Sequence, residues 1–92
     1  MKVTVYSKNN CAKCNMTKKR LQAEGIDYEE INIENESENI ANGGKTTQEY
    51  INYIKDELEL SVMPVVVVED GRFWGDFRLD KIRELANDLK GK

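Results

Sequence analysis

Cys11 and Cys14 are the only two cysteines in this 92-residue chain, and their spacing suits reversible disulfide chemistry. They lie where an apolar stretch, residues 3–6, gives way to a predicted helix. Two thiols three positions apart on a first helical turn are about 5–6 Å apart, close enough to form a disulfide. The partial positive charge at the amino end of a helix favours a thiolate on the first cysteine. The pair therefore predicts a centre that cycles between dithiol and disulfide.

The two cysteines should have different roles. Cys11, at the exposed end of the helix near Lys8 and Lys13, should have a lowered pKa and attack a substrate disulfide. Cys14, one turn deeper, should resolve the mixed disulfide and leave the pair oxidised. Two buried core cysteines are the structural alternative. A zinc site is disfavoured because zinc takes four ligands, whereas this chain offers two cysteines and no histidine.

The composition is that of a small globular domain, which we expect to span residues 1–92. With 39% hydrophobic and 34% charged residues, neither disorder nor a membrane protein is indicated. The longest apolar run, residues 62–68, is too short to span a bilayer and contains Pro64. The chain enters a strand without the apolar core of a signal peptide, so we expect a cytoplasmic location and a catalytic cysteine pair. A monomer is expected.

The net charge of −3 conceals an asymmetry along the chain. Residues 1–23 contain six basic side chains and no acid, and the remainder contains eight basic and seventeen acidic side chains. The cysteine pair should therefore lie in a positive patch, which either forms a solvated helix face or lowers a thiol pKa and steers an acidic partner. Nucleic-acid binding is disfavoured because the basic cluster is short and lacks interleaved aromatic residues.

The hydrophobic pattern predicts an α/β chain with the order β-α-β-α-β-β-α. Gly25 should end the first helix, whose inward face should carry Cys14, Thr17 and Leu21, with Met16 a further candidate. The predicted elements are strands at about residues 2–7, 26–33, 65–68 and 72–74, helices at 11–24, 47–60 and 78–89, a surface loop with room for a helical turn at 34–46, and a hairpin turn at 69–72.

Several stretches together resemble a known family. The strand, the C-x-x-C that opens a helix, and the later X-Pro before a hairpin and a final helix resemble the thioredoxin superfamily, and Val-Tyr-Ser-Lys at 5–8 resembles a glutaredoxin. Cys-Ala-Lys-Cys-Asn-Met-Thr at 11–17 is similar to the C-x-x-C-N-x-T motif of the NrdH-type redoxins. Trp-Gly-Asp-Phe-Arg-Leu-Asp at 74–80 is similar to their W-S-G-F-R-P-D motif. The resemblance implies a thioredoxin-like fold in which three helices flank a central four-stranded mixed sheet.

The resemblance also implies a function. NrdH-type redoxins accept electrons from thioredoxin reductase, with NADPH as the ultimate source, and pass them to the class Ib ribonucleotide reductase. It therefore implies these two protein partners, a redox-active Cys11–Cys14 disulfide and no bound cofactor. Two other functions stay open. Residues 5–8 and Asp76 suggest a glutathione-dependent glutaredoxin, and a non-catalytic redox-sensing or binding module could use the fold as a scaffold through residues 34–61.

Beyond the cysteines, the expected substrate- and partner-binding residues are Lys8, Ala12, Lys13, Met63, Pro64, Trp74, Phe77 and Arg78. The fold implies a cis Met63–Pro64 bond that places the Met63 backbone beside Cys11, where an extended substrate can pair as an added strand. The residues alone favour the alternative, a proline that only starts a strand. Trp74 and Phe77 either pack in the core or form a docking patch for the reductase, and Trp74 is expected to be partly exposed.

Arg78 is the residue that best separates the two enzymatic functions. Glutathione-using glutaredoxins generally have an acidic residue in this region, so an arginine argues against a glutathione site, although Asp76 could substitute. Asp80 should stabilise the first turn of its helix. Tyr6 should pack, and Lys8 should stabilise the Cys11 thiolate to a modest, salt-dependent extent.

The chain departs from the family pattern in four places. Asn9 stands where the family usually has proline, which should change the stiffness of the loop. Gly75-Asp76 replaces Ser-Gly, which should affect docking, and Leu79 replaces a proline at the helix start. The segment before Pro64 is longer than expected, so the identity of the partner depends on whether this segment reshapes a surface or is simply tolerated.

Overall fold

The computed structural model describes residues 1–91, and Lys92, the last residue of the predicted domain, lies outside the described residues. The helices and strands are β1 (Val3–Ser7), α1 (Ala12–Ala23), β2 (Glu29–Asn32), α2 (Glu36–Ala41), α3 (Thr47–Asn52), β3 (Val65–Val68), β4 (Phe73–Gly75) and α4 (Leu79–Lys90). A π-helical turn, Tyr53–Glu57, continues α3. The predicted order is confirmed, and α2 is an addition within the loop predicted at 34–46. No helix within residues 1–91 is long and apolar enough to cross a membrane.

The four strands form one mixed sheet, as the resemblance implied, and their order is β2-β1-β3-β4. β1 is parallel to β2 and antiparallel to β3, and β3 is antiparallel to β4. In this register Tyr6 lies opposite Val65. The segment after β1 contains the two cysteines, and the segment before β3 contains Pro64. Both segments therefore lie at the same end of the sheet.

One face of the sheet carries the main core. Because strand side chains alternate, Val3 and Val5 of β1 share this face with Val66 and Val68 of β3. Residues of α1 and α4 pack against it. The core consists of Val3, Val5, Leu21, Ile26, Val66, Val68, Trp74, Ile82, Leu85 and Ala86.

α1 buries the face that the sequence predicts. Cys14, Thr17 and Leu21 are buried, so the second cysteine lies on the core side of the helix. Met16, the further candidate for this face, is 48% exposed and lies on the outer surface. Cys14 is therefore buried against the core, whereas Lys13 and Lys19 are exposed to solvent.

α1 ends at a left-handed glycine, as predicted. Gly25 has φ +72°, and its N–H donates to the Gln22 carbonyl at 3.0 Å. The N–H of Ile26 donates to the Leu21 carbonyl at 2.9 Å, and the side chains of Ile26 and Leu21 are both in the core. This pair of hydrogen bonds satisfies the last carbonyls of the helix and turns the chain toward β2.

The other face of the sheet is covered near Tyr6 by α3. The rings of Tyr50 and Tyr53 lie 5.7 and 6.0 Å from the Tyr6 ring. Burial, together with the nearby Tyr53, Tyr50 and Glu29, raises the pKa of Tyr6 to about 12, so its hydroxyl keeps its proton at neutral pH. Tyr6 therefore packs, as expected.

Hydrogen bonds from side chains attach the acidic segment at 34–46 to the sheet. Glu36 Oε1 accepts the Thr47 N–H at 2.9 Å. The Thr47 hydroxyl donates to the Ile33 carbonyl, and Asn39 Nδ2 donates to the Asn32 carbonyl at 2.8 Å. These contacts join α2 and the start of α3 to the end of β2, so the segment covers one end of this edge strand.

Gly25→Ala should destabilise the oxidised protein by about 1–2 kcal/mol, because a Cβ atom raises the free energy of the left-handed conformation. Urea unfolding followed by circular dichroism would measure the change in the free energy of unfolding. Gly91→Ala is the control, because Gly91 has φ −74°, which any residue adopts, and should change stability by less than about 0.5 kcal/mol. Equal losses from both substitutions would contradict the role of Gly25.

Candidate active site

The two cysteines form a disulfide at the start of α1. Their Cα atoms are 5.2 Å apart, in agreement with the spacing predicted from the sequence. Cys11 is the N-cap residue, with extended backbone (φ −118°, ψ 101°), and its Sγ accepts the Cys14 N–H at 3.1 Å. Cys11 is partly exposed, whereas Cys14 is only 1% exposed. The accessible sulfur is therefore that of Cys11, which fits its expected role as the attacking residue.

The position of Cys11 favours a thiolate. The first N–H groups of a helix have no partner within the helix, and a sulfur at the N-cap can accept one of them. A hydrogen bond to a thiolate is stronger than one to a neutral sulfur, and the helix dipole adds a favourable interaction at this end. We therefore expect α1 to stabilise the ionised form of Cys11 on reduction, which is the form that attacks disulfides.

Hydrogen bonds hold the loop between β1 and α1. Asn9 Oδ1 accepts from the Asn32 side chain at 2.8 Å, and the Asn9 N–H donates to Glu34 Oε1 at 2.6 Å. Asn10 has φ +54°, a left-handed conformation that asparagine adopts more readily than most residues. Asn9, which replaces the family's usual proline, therefore fixes the loop through contacts with the end of β2.

The positive patch predicted around the cysteines is largely neutralised by acids from the rest of the chain. Four of its six basic side chains form ion pairs, Lys2 with Glu29, Lys13 with Asp76, Lys18 with Glu30 and Arg20 with Glu24. Within residues 1–91 the other two, Lys8 and Lys19, form no ion pair. Lys8 directly follows β1, so an unpaired cation remains at the entrance to the cysteine loop.

The segment before β3 is bound to the turn that follows β4. The Met63–Pro64 peptide bond is cis, as expected. The Pro64 carbonyl accepts the Asp76 N–H at 2.9 Å. At Gly75 a Cβ atom would lie 2.8 Å from the Val62 carbonyl oxygen, so only glycine lets the two segments approach this closely. Met63 is half-buried and precedes β3, so its backbone lies outside the paired strands.

Asp76 connects this turn to the cysteine motif. Its Oδ1 accepts from Lys13 Nζ at 3.0 Å and from the Phe77 N–H at 2.7 Å. The hydrogen bond from Lys13, followed by that from Phe77, holds the pKa of the Asp76 carboxyl below its ordinary value. Asp76 adopts φ +74°, which is uncommon for a residue with a side chain. Its link to Lys13 has no signal in the sequence, because no local pattern indicates which side chains meet across a fold.

Trp74 is 5% exposed and lies in the main core, so the expectation that it is partly exposed is wrong. The register of the sheet places it opposite Val66, on the face against which α1 and α4 pack. Burial of this large ring stabilises β4 and thereby the turn that follows. Trp74 presents almost no surface to a partner.

Phe77 and Arg78 lie between this turn and α4. Phe77 is half-buried against the core, and Arg78 is exposed. Arg78 Nε and Nη2 donate to the Asp80 carboxylate at 3.1 and 2.9 Å. These hydrogen bonds raise the pKa of Arg78 and lower that of Asp80, which lies in the first turn of α4 as expected. The surface beyond Asp76 is therefore the edge of Phe77 and an arginine–aspartate pair.

Lys8 and Met63 line a groove of about 250 Å³. Its apolar walls come from the residue after β2, from α3 with its π-helical turn, and from the segment before β3, and they consist of Ile33, Ile51, Ile54 and Leu60. Ile51 and Leu60 belong to the long segment before Pro64, whose role the sequence left open. The structure therefore brings two expected binding residues together with a part of the chain that sequence reasoning did not connect to the site.

The remaining expected residues are also placed near the dithiol. Ala12 and Lys13 are exposed between the two cysteines, and Lys13 is joined to Phe77 through Asp76. Within residues 1–91 no group of three or more His, Cys, Asp or Glu side chains is placed to hold a metal ion. An accessible sulfur and a buried second sulfur are the parts needed for thiol–disulfide exchange, and the backbone segment before β3 lies at the same end of the sheet.

The chain is similar to known redox proteins over most of its length. A sequence model of the glutaredoxin family matches residues 3–74. The glutaredoxin-like protein NrdH of Lactococcus lactis (strain IL1403) is 37% identical over 86 residues, which cover 91% of this chain and 99% of that protein. The glutaredoxin-like protein NrdH of Escherichia coli K12 is 31% identical over 85 residues, which cover 92% of this chain and 89% of that protein.

A solved structure gives the same assignment. The NrdH-redoxin from Escherichia coli, described as a glutaredoxin-like protein with a thioredoxin-like activity profile, has a TM-score of 0.69 at 29% identity. The match covers 92% of this chain and 95% of that one. The chain therefore belongs to the glutaredoxin family, as a redox protein of the NrdH type and a dithiol–disulfide oxidoreductase with a redox-active Cys11–Cys14 disulfide.

Proposed function

We propose that this redoxin carries electrons from thioredoxin reductase, which draws them from NADPH, to a class Ib ribonucleotide reductase. The observation that carries the proposal is the similarity to NrdH proteins over 91–92% of the chain. The thioredoxin-like activity profile of the Escherichia coli protein supports it, because this is the profile expected when a thioredoxin reductase supplies the electrons. In this proposal the protein acts as a monomer in the cytoplasm.

The exchange begins at Cys11. Its thiolate attacks one sulfur of the substrate disulfide, the substrate S–S bond breaks, and the second substrate sulfur leaves as a thiolate. Cys14 then loses its proton and attacks the Cys11 sulfur, which breaks the mixed disulfide and releases the first substrate sulfur as a thiolate. The Cys11–Cys14 disulfide forms, two electrons have passed to the substrate, and its two thiolates take up protons. A dithiol of the reductase reverses these steps.

The segment before β3 supplies the docking site for an extended substrate. The Met63 backbone lies outside the sheet and beside Pro64, so a substrate segment can pair with it as an added strand. The exposed Ala12 and Lys13 lie between the cysteines and contact the same substrate. Lys8 adds the cation at the entrance to the loop, which favours acidic substrate segments.

Docking of the reductase is assigned to the surface formed by Phe77 and Arg78, which follow Asp76 in the chain. Phe77 offers the edge of a partly exposed ring, and Arg78 offers an exposed guanidinium held by Asp80. Aromatic rings and arginines are enriched among the residues that dominate protein interfaces. Trp74 contributes by stabilising β4 from the core and not by contact.

A glutathione-dependent glutaredoxin is the second candidate, favoured by the match of residues 3–74 to the glutaredoxin family. Such a site needs a carboxylate for the amino group of the tripeptide, and Asp76 is the candidate on this surface. Its Oδ1 already accepts from Lys13 and from the Phe77 N–H. Arg78 has the same charge as that amino group. The occupied Asp76 carboxylate and the positive charge of Arg78 therefore disfavour a glutathione site and favour reduction by thioredoxin reductase.

A coupled assay separates the candidate functions. NADPH should be oxidised in the presence of a model disulfide when the protein is supplied with thioredoxin reductase, and oxidation should be slow with glutathione and glutathione reductase. Turnover with only the glutathione system would support the glutaredoxin function, and no turnover with either would support the non-catalytic module. Replacing the model disulfide by an oxidised class Ib ribonucleotide reductase tests the acceptor.

The two cysteines should give different results when they are substituted singly. Cys11→Ser should abolish turnover, because it removes the accessible nucleophile. Cys14→Ser should retain the first step and accumulate a mixed disulfide with the substrate, because the resolving thiol is absent. Mass spectrometry under non-reducing conditions would detect the adduct. Full activity of the Cys11→Ser protein would reverse the assignment of roles.

Arg78→Glu should raise the KM of thioredoxin reductase for this redoxin by about three- to tenfold, because it replaces a cation on the docking surface by a second acid beside Asp80. Arg83→Glu is the matched control, since Arg83 is exposed on α4 and forms no ion pair within the described residues. Steady-state kinetics at a fixed concentration of reductase, with the concentration of each redoxin variant varied, would measure both KM values. A control variant as impaired as Arg78→Glu would show that net charge, and not this surface, determines docking.

A further inference from the structure

Thr17 carries a buried hydroxyl without a hydrogen-bond partner, one helical turn after Cys14. Thr17 is 0% exposed and Cys14 is 1% exposed. Within the described part of the chain, Thr17 Oγ1 has no partner. Residues three positions apart on a helix are neighbours on one face, so the two side chains lie side by side on the core side of α1.

The lack of a partner is unusual for this residue type. A threonine inside a helix commonly donates to the carbonyl three or four residues earlier, and a buried hydroxyl that makes no hydrogen bond costs free energy. The buried hydroxyl of Ser7, in contrast, donates to Glu30 Oε2 at 2.7 Å. The Ser7 hydroxyl therefore already donates a hydrogen bond, whereas the Thr17 hydroxyl donates none within the described residues.

Two other buried polar atoms of residues 1–91 also lack a partner, Arg20 Nε and Trp74 Nε1. The Arg20 guanidinium is already bound to Glu24 through Nη2, and Arg20 lies one turn farther along α1. Trp74 lies on β4. Thr17 is therefore the unpartnered donor that the helix itself places next to Cys14.

Reduction of the disulfide creates a hydrogen-bond acceptor, the sulfur of Cys14, beside Thr17. A donor thiolate attacks the accessible Cys11 sulfur, a new S–S bond forms there, and the Cys11–Cys14 bond breaks. The electron pair of the broken bond leaves with Cys14, so a thiolate appears at a buried position. Burial disfavours a charged group unless a hydrogen-bond donor or an opposite charge compensates it.

We propose that Thr17 Oγ1 is this donor and hydrogen-bonds to Cys14 Sγ once the disulfide opens. The inference rests on the proposed function as a dithiol electron carrier and adds the residue that stabilises its leaving sulfur. The hydroxyl is unpaired in the oxidised form and paired in the reduced form, so the contact stabilises only the reduced form. Thr17 therefore makes the disulfide easier to open, both at equilibrium and in rate.

Thr17→Val tests the proposal, because valine keeps the branched shape of threonine and removes the hydroxyl. Equilibration in dithiothreitol buffers should show a shift toward the disulfide form of about tenfold, which corresponds to about 30 mV for this two-electron couple. Reduction by dithiothreitol in a stopped-flow instrument should also be slower than in the parent protein. Thr17→Ser keeps the donor and should stay close to the parent in both measurements.

The redox readouts separate this role from a structural one. A purely structural effect would lower the stability of the oxidised and reduced forms equally and leave the equilibrium with dithiothreitol unchanged, which would overturn the proposal. Equal shifts in Thr17→Val and Thr17→Ser would also overturn it. If Thr17→Val does not fold, Thr17→Ala is compared with Thr17→Ser in the same way. A parent protein that forms no internal disulfide in these buffers would refute the electron-carrier function and this inference with it, whereas a normal parent with an unaffected valine variant refutes the Thr17 contact alone.

Discussion

The start of α1 is the constraint on which the dithiol depends. Cys11 is both the accessible sulfur and the N-cap, so one hydrogen bond, from the Cys14 N–H to Cys11 Sγ, begins the helix and stabilises the thiolate. The helix can begin at this point because β1 ends at Ser7 and Asn9 fixes the intervening loop to the end of β2. A change that displaced this start would move both sulfurs and remove the stabilisation of the thiolate together.

Segments from distant parts of the chain surround this helix start, and Asp76 joins them. Its N–H binds the carbonyl of Pro64, and its carboxylate binds Lys13 between the cysteines. The left-handed backbone of Asp76 costs free energy, which these contacts offset, and the close approach of Gly75 to Val62 leaves little room for the turn to move. The geometry of the site is therefore maintained by the tertiary structure as well as by the cysteine motif.

The charges around the site also depend on residues from distant parts of the chain. The basic residues 1–23 form a positive patch in the sequence, but acids from β2, the end of α1 and the turn before α4 neutralise most of it. Exposed charges are also screened by salt, whereas the amide of Cys14 acts on the Cys11 sulfur at hydrogen-bond distance. In the function proposed above, the helix terminus therefore acts directly on the Cys11 sulfur, and Lys8 acts on an approaching partner.

The chemistry of the cysteine pair and the order of the elements could be predicted from the sequence. The C-x-x-C spacing, the end of α1 at Gly25 and the valine run of β3 depend only on residues a few positions apart. The sequence left room for a helical turn at 34–46 but did not locate α2, because this helix buries no side chain and so leaves no apolar period. The burial of Trp74, the ion pair between Lys13 and Asp76, and the lack of a partner for the Thr17 hydroxyl become visible only in the folded chain. Strand register and contacts between distant residues set these features, and no local pattern encodes either.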